Sequence, residues 1–149
     1  MADDLNPPQA LRSAQMVWGG SIAGVVVMAA ISAFLVDGRG PAGGPMGVVA
    51  LAAVAYTPVA IVAGYVARMQ VYKRHWHGQR VTPRGYVVGN LVLISVIGSA
   101  CILGLAAVLL SDRLGPELAA PVVGIAAIAV NSPNGRPMLD AGPRTGRGP

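Results

Sequence analysis

Leu35-Val36-Asp37-Gly38-Arg39-Gly40-Pro41 returns 75 positions later as Leu110-Ser111-Asp112-Arg113-Leu114-Gly115-Pro116. Both copies share the pattern Leu-x-Asp-x-x-Gly-Pro, and each stands directly after a long apolar run. At the same offset Ile22 falls on Ile97, Gln15 on Asn90, Ala52 on Ala127, and Thr57-Pro58 on Ser132-Pro133. The coincidence predicts one helical hairpin written twice. Each element of the repeated heptad has a physical job at a turn: glycine permits a tight or left-handed bend, proline refuses to continue a helix, and aspartate ends the apolar run in water. Asp37, Gly40 and Pro41, and Asp112, Gly115 and Pro116, are therefore expected to build the two interhelical turns.

Outward from these turns the chain is almost free of charge. Hydrophobic residues make up 54% of it and charged ones only 11%, against roughly a quarter charged in an average soluble domain, so most of the chain is expected to avoid water. No charged residue occurs in 13–36, 40–67, 85–111 or 118–135. A spanning helix needs about 20 mainly apolar residues, because a rise of about 1.5 Å each must cross about 30 Å of hydrocarbon. Three runs meet that length; the purely apolar part of the fourth, Leu118 to Val130, meets it only by borrowing from its flanks. The expectation is an all-α membrane protein of four transmembrane helices built from two tandemly duplicated helical hairpins. Its parts are a cytoplasmic tail over 1–11, a first transmembrane hairpin over 12–67, a basic loop over 68–84, a second hairpin over 85–138 and a disordered tail over 139–149. An acidic, proline-bearing start and a first run of full spanning length predict that the first helix is retained and is not a cleaved signal.

Orientation follows from the basic residues. Five lie between Arg68 and Arg84 with no acid among them, and Arg12, Arg136, Arg144 and Arg147 bring that predicted side to nine of the chain's 11 Lys and Arg. Positive charge is held on the cytoplasmic side, so the basic loop and both termini are expected inside, in a bacterial-type inner membrane, with the Asp-x-x-Gly-Pro turns outside. Topology accounts for the net charge of +5 without a nucleic-acid partner. Tyr72, Trp76, Tyr86 and Trp18 stand where amphipathic rings anchor at a membrane surface.

Lipid removes the hydrophobic drive between helices, so association rests on close packing of small residues. Gly20 and Gly24, Ala60 and Gly64, Ser95 and Ser99, and Ala100 and Gly104 each place two small side chains on one helical face, and Gly24 and Ser99 are mates in the repeat. Pro58, inside the second run, predicts a kink, with Thr57 or Tyr56 placed to satisfy freed carbonyls.

Reactive chemistry is not in view. His75 and His77 supply two of the ligands a zinc site needs, and no Cys or acid stands nearby to complete it. No histidine lies inside a span to hold haem, and no carboxylate lies there to carry a proton or cation. Cys101 reads as a small packing residue. No cofactor and no enzymatic activity are expected. The leading expectation is a non-catalytic membrane protein whose partners are the bilayer and either copies of itself or the subunits of a larger membrane complex. The alternative is a small transporter or channel component, since internal repeats often frame a pathway.

Polar turns, Gly/Ala-rich helices and a proline in the second helix of each pair make the chain similar to the proteolipid c subunit of rotary ATP synthases, whose duplicated relatives carry a tandem hairpin. Ala55 and Val130 occupy the positions where that family carries its ion-binding carboxylate, and the basic loop predicts the opposite orientation. Leu11-Arg12-Ser13-Ala14-Gln15 before the first run, with Ser132 to Arg136 after the last, also resembles small bacterial four-helix membrane proteins. What these resemblances imply is a fold and a membrane location.

Overall fold

The structure, a computed structural model, describes residues 6–36, 45–77, 80–112 and 118–139. Asp37, Gly40, Pro41, Gly115 and Pro116 of the repeated turns, and the tail from residue 140, lie outside the described residues. Within them the chain is helical: α1 (Pro7–Leu35), α2 (Pro45–Arg74), α3 (Pro83–Ser111), α4 (Ala119–Val130) and the single turn α5 (Arg136–Leu139). A two-stranded antiparallel ribbon, β1 (Trp76–His77) and β2 (Arg80–Val81), joins α2 to α3, with Trp76 opposite Val81 and His77 opposite Arg80.

The helix starts follow from proline. Pro7 and Pro83 open α1 and α3 at the first helical position, where the missing N–H is one that no helix bonds internally. Asn6, extended at φ −63° and ψ 135°, offers its carbonyl to the N–H of Ala10 at 3.0 Å. Thr82 caps α3, its Oγ1 accepting from the N–H of Gly85 at 3.2 Å. Helix α1 thus begins inside the stretch expected to be a tail. The expected loop over 68–84 shrinks in the same way, because α2 continues two turns past Ala67 to Arg74. Lysine and arginine are good helix formers and favour the negative end of the helix dipole, so a basic run there extends a helix and does not end it.

Helices α1, α2 and α3 are long and apolar enough to cross a membrane; α4 has 12 residues, about 18 Å of rise. The expected fourth span is therefore a half-length helix. Two prolines set its limits. Pro121 sits in the first turn, where an absent donor is tolerated, and Ser132-Pro133 follows the last turn, where Pro133 can neither donate nor fit against the turn before it. Thr57-Pro58, its repeat mate, stays inside α2, which has long helical flanks on both sides.

Helix α3 is the hub. It packs on α2, α1 and α4, and half of its apolar window is buried within the protein against 6% of that of α1. Among the described residues α1 leans on α3 and α4 and makes no extended contact with α2, so the first pair is not a packed hairpin as the second is. Leu93, Ile94, Ile97 and Ile128 fill the centre. Helix α4 starts part-way along its neighbours: Pro121 and Gly124 lie against Cys101 of α3, and Ala119 and Ala120 share a small cavity with Thr57 and Pro58 of α2. At the far end Ala10 and Ala14 of α1, Tyr72 of α2, Val81 of β2, Tyr86 of α3 and Met138 of α5 form a second buried cluster, which ties every described element except β1 and α4 to one end of the bundle.

Candidate functional site

Three kinds of small-residue position come out of the structure, and they are distinct in what stands in front of them. Gly64 of α2 lies on α3, and Ala60 stands one turn before it. Both are buried, and a Cβ at Gly64 would lie 3.2 Å from Leu93 Cδ1 and 3.4 Å from the Leu93 carbonyl. Gly104 is buried on α3. Ser95 and Ser99 are exposed on α3; Ser99 donates to the Val96 carbonyl at 2.7 Å, and its hydroxyl pairs with that of Tyr56 at 3.2 Å. Gly20 and Gly24 are exposed on α1, and a Cβ added to either would meet no atom within 4 Å. Among the described residues the expected packing face of α1 is thus open.

One seam was not singled out from the sequence. Gly124 of α4 lies directly on Cys101, where a Cβ would collide with the sulfur, and the Cys101 thiol donates to the Pro121 carbonyl at 3.9 Å. The cysteine fills the place of a small side chain between two helices. Its spacing to Gly124 carries no periodic signal, since the pair belongs to different elements.

The polar residues gather at the ribbon end. Asn90, 2% exposed, donates to the Tyr72 hydroxyl at 3.2 Å and to the Tyr86 carbonyl at 2.8 Å. Arg68 Nε donates to the same Tyr72 hydroxyl at 3.0 Å, with its guanidinium 5.1 Å from the Tyr72 ring centroid. Tyr72 and Tyr86 stack with centroids 6.2 Å apart and planes 16° from parallel, and the Tyr86 hydroxyl accepts from the Gly135 N–H at 3.0 Å. Gly89 leaves room for the Tyr72 ring and Gly85 for His75. These tyrosines were expected to anchor in headgroups; at 5% and 1% exposed they are internal pillars, Tyr72 seated against Gly89. Trp18 is turned inward as well, its Nε1 donating to the Ile128 carbonyl at 2.8 Å, whereas Trp76 is exposed. Gln15, the repeat mate of Asn90, reaches the Pro133 carbonyl at 3.3 Å. A set of long-range bonds thus holds α1, α2, α3 and the segment after α4 in one register.

Pro58 remains within a continuous α2. Thr57 donates to the Ala53 carbonyl at 2.9 Å, one residue short of Val54, the carbonyl that proline deprives of its donor. Asn131 caps the end of α4 by donating to the Ala127 carbonyl at 2.8 Å and meets the Tyr65 hydroxyl of α2. Asp112 ends α3 in the left-handed region, φ 49° and ψ 40°, a conformation aspartate tolerates better than most residues. His75 bonds through Nδ1 to the Val71 carbonyl at 3.0 Å; among the described residues no three of His, Cys, Asp and Glu come together.

What this arrangement offers chemically is surface and fit. In comparisons with protein-family models, curated proteins and solved structures, the chain matches none.

Proposed function

We propose that the chain is a non-catalytic integral membrane protein that acts by association, with copies of itself or as an accessory subunit of a larger membrane complex. One observation carries the reading. Helix α1 buries only Ala10, Ala14 and Ser32 within the chain, while Met16 is 77% and Phe34 90% exposed and Gly20 has open space before it. A spanning helix with so little internal contact and a glycine on its outer face suits close approach by another helix.

The proposed setting is a bacterial inner membrane with both termini and the ribbon on the cytoplasmic side. Arg12, Lys73, Arg74, Arg80, Arg84 and Arg136 are all exposed, and the elements that carry them meet in the buried cluster at one end of the bundle. Charge retained on the cytoplasmic side accounts for that grouping. A tandem hairpin like that of rotary proteolipids is proposed as the origin of the two halves, the second having shortened at α4.

The rival reading, a small transporter component, draws on α4, whose start beside Pro58 resembles the half-helices that frame transport sites. Against it, Thr57 bonds to its own helix, and Asn131 meets Tyr65, eight residues on along α2, about 12 Å away by helical rise.

Mass measurement of the detergent-solubilised chain tests association. The expected result is an oligomer, or a co-purifying membrane partner, that Gly20→Leu dissociates while leaving the helical signal intact. A monomer without partner overturns the proposal, and solute flux in liposomes carrying the purified chain would favour the rival.

A further inference from the structure

Between α1 and α3 runs an open groove of about 630 Å³. One wall passes along α1 from Val17 through Gly24 to Met28, the other along α3 from Leu91 through Gly98 to Leu109. Side chains added at Gly24 or Gly98 would project into empty space. Two of the three serine hydroxyls that line it are bonded to their own helices, Ser21 to the Val17 carbonyl at 2.7 Å and Ser99 to that of Val96 at 2.7 Å, and Ser95 is the third. A hydrated solute gains little from such walls, whereas hydrocarbon loses nothing by entering.

Shape narrows the occupant further. From Leu91 to Leu109 the α3 wall rises about 27 Å, close to the depth of a bilayer's hydrocarbon core. A single hydrocarbon tail laid along α3 would run the length of this groove. Charge adds the headgroup. Arg84 is exposed and lies seven residues before Leu91, hence two turns along the same face of α3, toward the ribbon end. A guanidinium there stands where the phosphate of a lipid seated in the groove would lie, and it pairs with phosphate in forked geometry.

The geometry points to a binding groove for one phospholipid with an anionic headgroup, its acyl tail between α1 and α3 and its phosphate at Arg84. The inference rests on the membrane reading above and adds an occupant to it. Basic positions at the cytoplasmic ends of spanning helices attract anionic headgroups in this way.

Native mass spectrometry of the full chain in detergent, with equal amounts of phosphatidylglycerol and phosphatidylcholine added, reads the site. The expected result is one retained lipid per chain, phosphatidylglycerol favoured roughly fivefold, the effect of one basic side chain near a headgroup. Arg84→Gln should bring the ratio near one. Gly98→Leu, or Gly24→Leu from the opposite wall, should remove the retained lipid without loss of helical signal. Equal retention of the two lipids by the unaltered chain, an unchanged ratio in Arg84→Gln, or full retention in both groove-filling variants overturns the inference. So does an oligomer that Gly98→Leu dissociates with no lipid bound, which would make a second copy the occupant. Flotation with vesicles of the two lipids separates the levels: a chain left in the aqueous fraction defeats the membrane reading and the groove together, and a chain that floats without headgroup preference defeats the groove alone.

Discussion

Gly124 has room for a hydrogen and little else, because the Cys101 sulfur occupies the space a Cβ would take. Gly124→Ala should lower stability by about 1–3 kcal/mol, the usual cost of forcing extra volume into a packed seam, and Cys101→Ala should restore most of the loss. Thermal unfolding of the two single variants and the double variant in detergent checks this, and additive losses would refute the contact. Asn90 makes a different demand, since it bonds both to Tyr72 and to the Tyr86 carbonyl in a buried place. Asn90→Leu should cost about 1–3 kcal/mol, the price of leaving a buried polar group unmatched, and amide exchange along α3 near Tyr86 should quicken; unchanged exchange would count against the network. At this scale the sequence was legible where spacing within one helix decides, as at Ala60 and Gly64. It was silent where two distant segments decide, as at Gly124 with Cys101 and Asn90 with Tyr72. Gly20 and Gly24 mark the reverse case, in which a correct spacing on α1 meets no partner among the described residues.

At the scale of elements, hydropathy located the four helices and proline set their limits, but the two signals were not given equal weight. Apolar length suggested a fourth span, whereas α4, with Pro121 in its first turn and Pro133 beyond its last, has only 12 residues. Pro133→Ala removes the outer stop. Circular dichroism and amide exchange should then report helix beyond Val130, with slower exchange at Asn131 and Ser132 and faster exchange at Gly135, whose N–H would leave the Tyr86 hydroxyl. No change at these amides would mean that the asparagine cap, and not proline, ends α4. The ribbon was hidden for a physical reason: strands of two residues carry no alternation that could be read, and the charged run before them continues α2.

For the whole molecule the repeat predicts symmetry and the packing departs from it. Helix α3 takes the centre, α4 closes on it, and α1 keeps most of its apolar surface outward. Nothing in a periodic pattern distinguishes a face turned to lipid from one turned to protein, since both are apolar, and this is why the division between α1 and α3 was not legible. The gathering of Arg12, Lys73, Arg74, Arg80, Arg84 and Arg136 on elements that meet at one end of the bundle follows from their places in the chain. Cysteine labelling in intact cells, on a Cys101→Ala background, should let an impermeant reagent reach a cysteine at Gly38 and not one at His77. The reverse pattern would invert the proposed topology.

The cluster at the ribbon end has a consequence in time. Ala10 of α1 packs in one cluster with Met138 of α5, which is made long after it. That end of the molecule cannot close until the segment around Gly135 has been made and released, and until then the Tyr86 hydroxyl lacks the Gly135 N–H. The closing turn acts as a latch, and a chain truncated before Gly135 should show faster amide exchange around Tyr86 than the full chain, because the Tyr86 hydroxyl then lacks the Gly135 N–H.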